Sequence, residues 1–181
     1  MYRHCTTEES VLRQRQLEQC LLSIMGEIPY SQITIGYICQ RADISRKSFY
    51  RYFGSKEGCL LALIDHCIMD GASYYLPEHY DREKAHSFYT RFFRFWQQSA
   101  PVLNALNQNK LSLHLVERMV YYADQEDRDF HYLFGGKTID SYEQLLFMVS
   151  GLMGLVLSWH QTGFQKTPEQ MASVMEKLIR S

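Results

Sequence analysis

Four cations stand on one short run of the chain, Arg46, Lys47, Arg51 and Lys56, and the hydroxyls of Ser45, Ser48, Tyr50 and Tyr52 lie among them. No acid falls between Ile44 and Gly54. Cations and hydroxyls at this density are the donors that a nucleic-acid backbone takes. Phe49 and Phe53 recur at i and i+4, so they share one face of a short helix and bury it. Lys47 and Arg51 repeat that spacing on the opposite face, which makes the outer side basic and rich in hydroxyls. Ser45 is placed to cap this helix, because its hydroxyl accepts from one of the amides that a helix start leaves unpaired.

The placement runs against local electrostatics. A helix N-terminus carries partial positive charge and favours acids, yet Arg46 and Lys47 occupy that first turn, and Lys56 repeats the pattern after Ser55. Each such cation is mildly unfavourable unless an anion comes to it, and a site that breaks a local rule is where function is expected. A polyanion supplies the missing charge.

The residues also carry a family pattern. Ile33-Thr34-Ile35 opening a helix, the run Ala42-Asp43-Ile44-Ser45-Arg46-Lys47-Ser48-Phe49-Tyr50-Arg51-Tyr52-Phe53, and Ser55-Lys56-Glu57 closely resemble the TetR/AcrR transcriptional regulators over residues 8 to 65. The sequence departs from that pattern at Asp43, where the family usually has Gly in the turn, and at Lys47, a position often held by Gly. Asp is among the few residues that tolerate the left-handed conformation, so the turn is retained. The resemblance implies a helix-turn-helix head on double-stranded DNA, its third helix in the major groove and its second crossing the backbone. On that reading Arg46, Lys47 and Ser48, with Ser45 capping them, meet base edges. Thr34, Tyr37, Tyr50, Tyr52 and Lys56 hold phosphates, and Arg51 serves either role.

These residues need a scaffold, and the chain reads as all-α from end to end. At 181 residues, with 46% hydrophobic and 22% charged residues and a net charge of −1, it is an ordinary globular chain without a global basic signal. Residues 1–58 carry eight Lys and Arg against six Asp and Glu, whereas the remainder carries eleven against fourteen. The first helix spans about Thr7 to Met25 with Val11, Leu12, Leu17, Cys20, Leu21 and Ile24 inward, and Gly26 and Pro29 end it. Thr34 caps the second helix. A fourth, Ser55 to about Ser73, links the head (1–54) to a larger helical domain (55–181) that begins its own helices near Pro77.

In that domain helices are expected over 81–98, from Pro101 to about Gln108, over 111–123, over 141–161 and from Thr167-Pro168-Glu169 onward, with 124–138 a loop or broken helix. The 141–161 helix is apolar nearly all round, and Leu152, Met153, Val156 and Trp159, joined by Met171, Val174 and Leu178 of the final helix, are the expected seam of a homodimer. Gly151 and Gly154 there allow close backbone approach. The layout resembles the last two helices of the same regulators, which pack as a four-helix interface. The resemblance also implies a small-molecule effector pocket, for which Phe92, Trp96, Met119, Tyr122, Phe147 and Met148 are the candidate apolar and aromatic lining.

Other chemistry finds no foothold in the sequence. The five cysteines (5, 20, 39, 59 and 67) are odd in number and lack metal spacing, and the seven histidines form no H-x-x-x-H pair. No metal or other cofactor is expected. No nucleophile elbow or phosphate loop is present, so an enzyme is not expected. The N-terminus has no apolar core of a signal peptide, and the longest apolar run, Leu145 to Trp159, falls short of the ~20 residues that span a bilayer. A cytoplasmic, homodimeric repressor released from a palindromic operator by an apolar or aromatic effector is the expectation. The alternative is an activator or co-regulator whose larger domain binds a protein partner.

Overall fold

The computed structural model describes residues 2–75, 85–125 and 139–180. Among the described residues every extended element is an α-helix, and the one backbone bridge outside them joins Tyr2 to Phe53. The chain divides into two compact units. The first runs to Cys67 and takes back Asn104–His114, so the head is larger than residues 1–54; the second holds Ile68–Leu103 and Leu115–Ser181.

The head begins with α1 (Glu8–Glu27), whose first turn carries Glu8 and Glu9 at the favourable end of the helix dipole. Its inward line is Gln14, Leu17, Glu18, Leu21, Ile24 and Met25, so Leu17, Leu21 and Ile24 of the expected stripe are buried and the rest of that stripe is not. Val11 and Leu12 face solvent, Leu12 at 57% exposure. Polar Gln14 and Glu18 take the inner places because each has a partner: Gln14 Nε2 donates to the Arg3 carbonyl at 3.1 Å, and the Glu18 carboxylate meets His66 Nδ1 at 2.8 Å. The helix passes through Gly26 and stops before Ile28, which is extended and precedes Pro29. A 3₁₀ turn (Tyr30–Gln32) then leads to α2 (Ile35–Arg41), α3 (Arg46–Tyr52) and α4 (Lys56–Tyr75).

Three hydroxyl caps fix these starts, those of Thr34 and Ser45 as the sequence predicts. Thr34 Oγ1 accepts from Tyr37 N, Ser45 Oγ from Ser48 N, and Ser55 Oγ from Gly58 N, at 3.0–3.1 Å. Asp43 takes φ 51 in the α2–α3 turn, the left-handed value expected of it. α1 packs on α2 and α2 on α3, with Leu21, Ile38, Phe49 and Phe53 fully buried. Glu27 and Arg41 form a two-pronged ion pair at 2.7 Å that holds the ends of α1 and α2 together. The guanidinium keeps the Glu27 carboxyl below its usual value.

The second unit contains α5 (Ala85–Gln98), α8 (Tyr142–Gln161) and α9 (Pro168–Arg180), with α5 packed against both of the others. α6 (Ala100–Gln108) and α7 (Ser112–Gln125) each cross from one unit to the other along the chain. The expected domain start near Pro77, residues 81–84 of the expected helix, and the 126–138 part of the expected loop lie outside the described residues. Aromatic edges dominate the core, Tyr75 on Phe92 at 5.0 Å and Phe93 on Trp159 at 5.6 Å. Trp159 Nε1 donates to the Lys166 carbonyl at 2.9 Å and pins the α8–α9 turn. α8 is 20 residues long, more than the run read from sequence, and by length and composition it matches a bilayer-crossing helix. Its face of Leu145, Val149, Leu152, Met153, Val156 and Trp159 is instead buried in this unit.

The shifted stripe of α1 is tested by a pair of truncations. Leu21→Ala should cost about 2–5 kcal/mol in denaturant unfolding, the range for a buried leucine. Leu12→Ala should stay within about 0.5 kcal/mol of the wild type.

Candidate nucleic-acid interface

The buried Phe49 and Phe53 orient α3 and leave Arg46, Lys47, Tyr50 and Arg51 exposed on its other side. Ser48 is half-buried and its Oγ accepts from Ser45 Oγ at 3.0 Å, so capping and the expected base contact share one short polar cluster. Thr34 is exposed, and because its Oγ1 accepts from Tyr37 N, its own hydroxyl proton remains available to an outside acceptor. Arg46 departs from the expected pose. A Cβ on Gly36 would fall 2.7 Å from Arg46 Nη2, so the guanidinium lies back against the first turn of α2 rather than straight out from α3. Lys47 is the exposed cation at the front.

Three phosphate candidates sit in unexpected surroundings. Tyr52 is 5% exposed, and its hydroxyl accepts from Arg51 Nη2 at 2.9 Å while the guanidinium covers the ring at 5.0 Å. It is a buried support for Arg51, not a surface donor. The hydrophobic line Phe49–Phe53 is wider than two residues, and Tyr52 belongs to it. Tyr37 is half-buried, and its hydroxyl accepts from Arg41 Nη1 at 3.3 Å.

Lys56 Nζ donates to the carbonyls of Tyr30 (2.7 Å) and Ile33 (2.8 Å) and lies 4.2 Å from the centre of the Tyr30 ring. Burial holds its ammonium below the ordinary lysine value, with Glu57 opposing. Lys56 therefore fastens the α1–α2 turn to the start of α4, with one donor proton left over. Asn109, which the sequence did not single out, completes that fastening. Its Oδ1 accepts from Tyr30 N, and its Nδ2 donates to the Ala105 carbonyl at 2.8 Å and to the Met25 carbonyl at 3.4 Å.

The effector and dimer candidates are also redistributed. Phe92, Trp96 and Met119 are fully buried, Tyr122 and Met148 are half-buried, and Phe147 is 80% exposed on the outer side of α8, away from any interior lining. Trp96 Nε1 is buried without a hydrogen-bond partner among the described residues. Leu152, Met153, Val156, Trp159 and Met171, expected at the seam, are covered within the single chain. The apolar helix has two faces, and the sequence pattern does not say which one turns inward. Val174 is half-buried and Leu178 is 55% exposed. Outside α8, an added Cβ on Gly151 or Gly154 meets nothing within 4 Å. Among the described residues no two cysteines form a disulfide, and no group of His, Cys, Asp and Glu is arranged to hold a metal.

Residues 22–63 match the family model described as bacterial regulatory proteins, tetR family, and residues 83–181, over half of the chain, match that of a transcriptional regulator C-terminal region. The fold is similar to Lin0861 from Listeria innocua, with a TM-score of 0.73 at 12% identity over 99% of this chain and 96% of that one. It is also similar to the regulator FadR from Bacillus subtilis solved with stearoyl-CoA (0.59, 16% identity, 91% and 96% covered). A third similar structure is DhaS, a dihydroxyacetone kinase operon activator (0.54, 15%, 93% and 94%). No curated protein matches the chain.

The placement of Lys56 makes a stability prediction. Lys56→Ala leaves two carbonyls of the α1–α2 turn without their donor, and the loss should be about 1–3 kcal/mol, the range for charged hydrogen bonds. A denaturant midpoint unchanged from wild type would remove Lys56 from the fastening role.

Proposed function

The chain belongs to the TetR family of bacterial regulatory proteins, and from that premise we propose that it is a homodimeric, sequence-specific repressor released from a palindromic operator by a small apolar ligand. The observation that carries the DNA-binding half is α3: capped by Ser45, anchored by Phe49 and Phe53, and exposing Lys47, Tyr50 and Arg51 with no acid between them. Such a helix fits the major groove, where side chains at its N-terminal end reach base edges. Lys47 is the residue for base readout, flanked by Ser48 and Arg46, and Thr34 and Tyr50 are the phosphate donors. The protein works in the cytoplasm, where its DNA is.

A second copy of the chain is the partner for the outer face of α8. Phe147, Gly151 and Gly154 follow one another at i, i+4 and i+7, and exposed Leu178 of α9 offers a further apolar contact. The bare glycines let another helix come close, and Phe147 supplies the large apolar surface that two-fold contacts use. The symmetry of such a dimer gives a palindromic operator.

The effector reading is supported by the aromatic core around Trp96, whose buried N–H lacks an acceptor among the described residues. Stearoyl-CoA in the FadR structure has the matching character, a long apolar chain with polar atoms at one end. A ligand releases DNA only through its differential affinity for the two states of the protein. The chain passes between units within α4, within α6 and after His114, so three covalent routes exist, where the sequence had given one. A second reading, an activator, is favoured by the similarity to DhaS, which carries that designation.

Selection from random duplexes should recover a palindrome, and Lys47→Ala should cost about 1–3 kcal/mol at one base of each half-site while leaving random DNA little affected. Phe147→Glu should give a folded monomer in sedimentation, with operator affinity lost. Leu152→Glu should instead unfold the chain, because the charge enters a single protomer's core. A dimer that survives Phe147→Glu would place the interface on another surface. Transcription from the selected site, measured with and without the protein, separates repressor from activator.

A further inference from the structure

The residues ahead of α1 are folded onto the recognition helix. Tyr2 bridges to Phe53, Arg3 N donates to the Tyr52 carbonyl at 2.9 Å, and the buried Gln14 donates to the Arg3 carbonyl. The Tyr2 hydroxyl donates at 2.7 Å to Asp65, whose carboxylate is fully buried. Both backbone groups of Arg3 are thus fixed while its side chain stays in solvent. Arg51, bonded to the Tyr52 hydroxyl, stands beside this arm. Between them lies a cleft of about 310 Å³ edged by Arg3, His4 and Arg51, with Thr6 and Ser10 on its wall and a single acid, Glu9.

We propose that this cleft binds a phosphate of the DNA backbone, on the flank beyond the base pairs that α3 reads. The inference rests on the DNA-binding reading above and extends its footprint. Two guanidiniums and the Thr6 hydroxyl are the donor types that phosphate takes, the Ser10 proton being held by the Thr7 carbonyl. The arm is tied down through its backbone, so Arg3 presents its charge from a fixed base and little ordering is left for the moment of binding. Arg51 contributes from α3 itself, which sets the cleft at a constant offset from the bases under Lys47. Glu9 opposes the phosphate and moderates the site.

The test uses the full-length protein and fluorescence anisotropy over a salt series, first with a random-sequence duplex of about 25 base pairs and then with a selected one. Arg3→Ala should lower the slope of log K against log salt by about one unit and weaken both duplexes by the same several-fold factor. Arg3→Lys should restore most of the slope, and Glu9→Gln should tighten binding. Both side chains are exposed, so the thermal midpoint serves as the folding control. Trimming about three base pairs from the flank should erase the difference between wild type and Arg3→Ala, because the phosphate in question is then gone. A wild-type slope in Arg3→Ala, with Lys47→Ala still losing base preference, overturns the arm contact and leaves the DNA-binding reading intact. A wild-type protein that binds neither duplex overturns both.

Discussion

The geometry of the recognition helix depends on the backbone of one residue, Tyr30. Its N–H is held by Asn109 at the end of α6, and its carbonyl by Lys56 at the start of α4. The turn around it joins α1 to α2, and α2 in turn carries α3. A three-residue 3₁₀ turn leaves polar backbone groups that no helix satisfies, and each must find a partner or be costly. Here the partners come from two distant parts of the sequence. Four helices therefore meet at one short segment, and the direction of α2 follows from where α4 and α6 begin and end. The Glu27–Arg41 pair closes the same corner from outside, but it is exposed and adds little.

The contacts that could be foreseen are local ones. A hydroxyl three residues ahead of the amide it caps, as at Thr34, Ser45 and Ser55, needs only the nearby sequence to be recognised, and all three caps form. Asp43 in its left-handed turn is of the same kind. The fold class and the exposed basic face of α3 follow from such local signals combined with a strong period. Tertiary partnership is what the sequence hides. Gln14 and Glu18 look like surface residues until Arg3 and His66 are brought to them. Lys56 looks like a cation for DNA until Tyr30 and Ile33 turn their carbonyls to it.

α8 shows a different kind of ambiguity. Its residues are apolar on nearly every side, so periodicity cannot distinguish the face that fills its own domain from the face left over. The structure assigns Leu152, Met153, Val156 and Trp159 to the interior, where Trp159 meets Phe93 and Phe164 and pins the following turn. That assignment moves Phe147 from an expected lining to an outer position. The glycines at 151 and 154 face open space, on the opposite side from the four large residues first assigned to the seam.

The Tyr30 clamp also sets the scale of any regulation. A useful allosteric coupling is about 1–3 kcal/mol. A neutral hydrogen bond contributes about 0.5–1.5 kcal/mol net and a charged one about 1.5–3 kcal/mol. Loss of the Asn109 contact to Tyr30, or weakening of one Lys56 bond, is therefore of the same size as the whole coupling. No large rearrangement of the head is required, since α4 and α6, the helices that carry these two side chains or end beside them, both continue along the chain into the second unit. A ligand that displaced either helix by a fraction of a hydrogen-bond length would act directly on the backbone that aims α2. The core of the head, with Leu21, Phe49 and Phe53 fully buried, would stay intact. Weak polar contacts at the corner and a rigid apolar centre behind it would let α3 be redirected without unfolding.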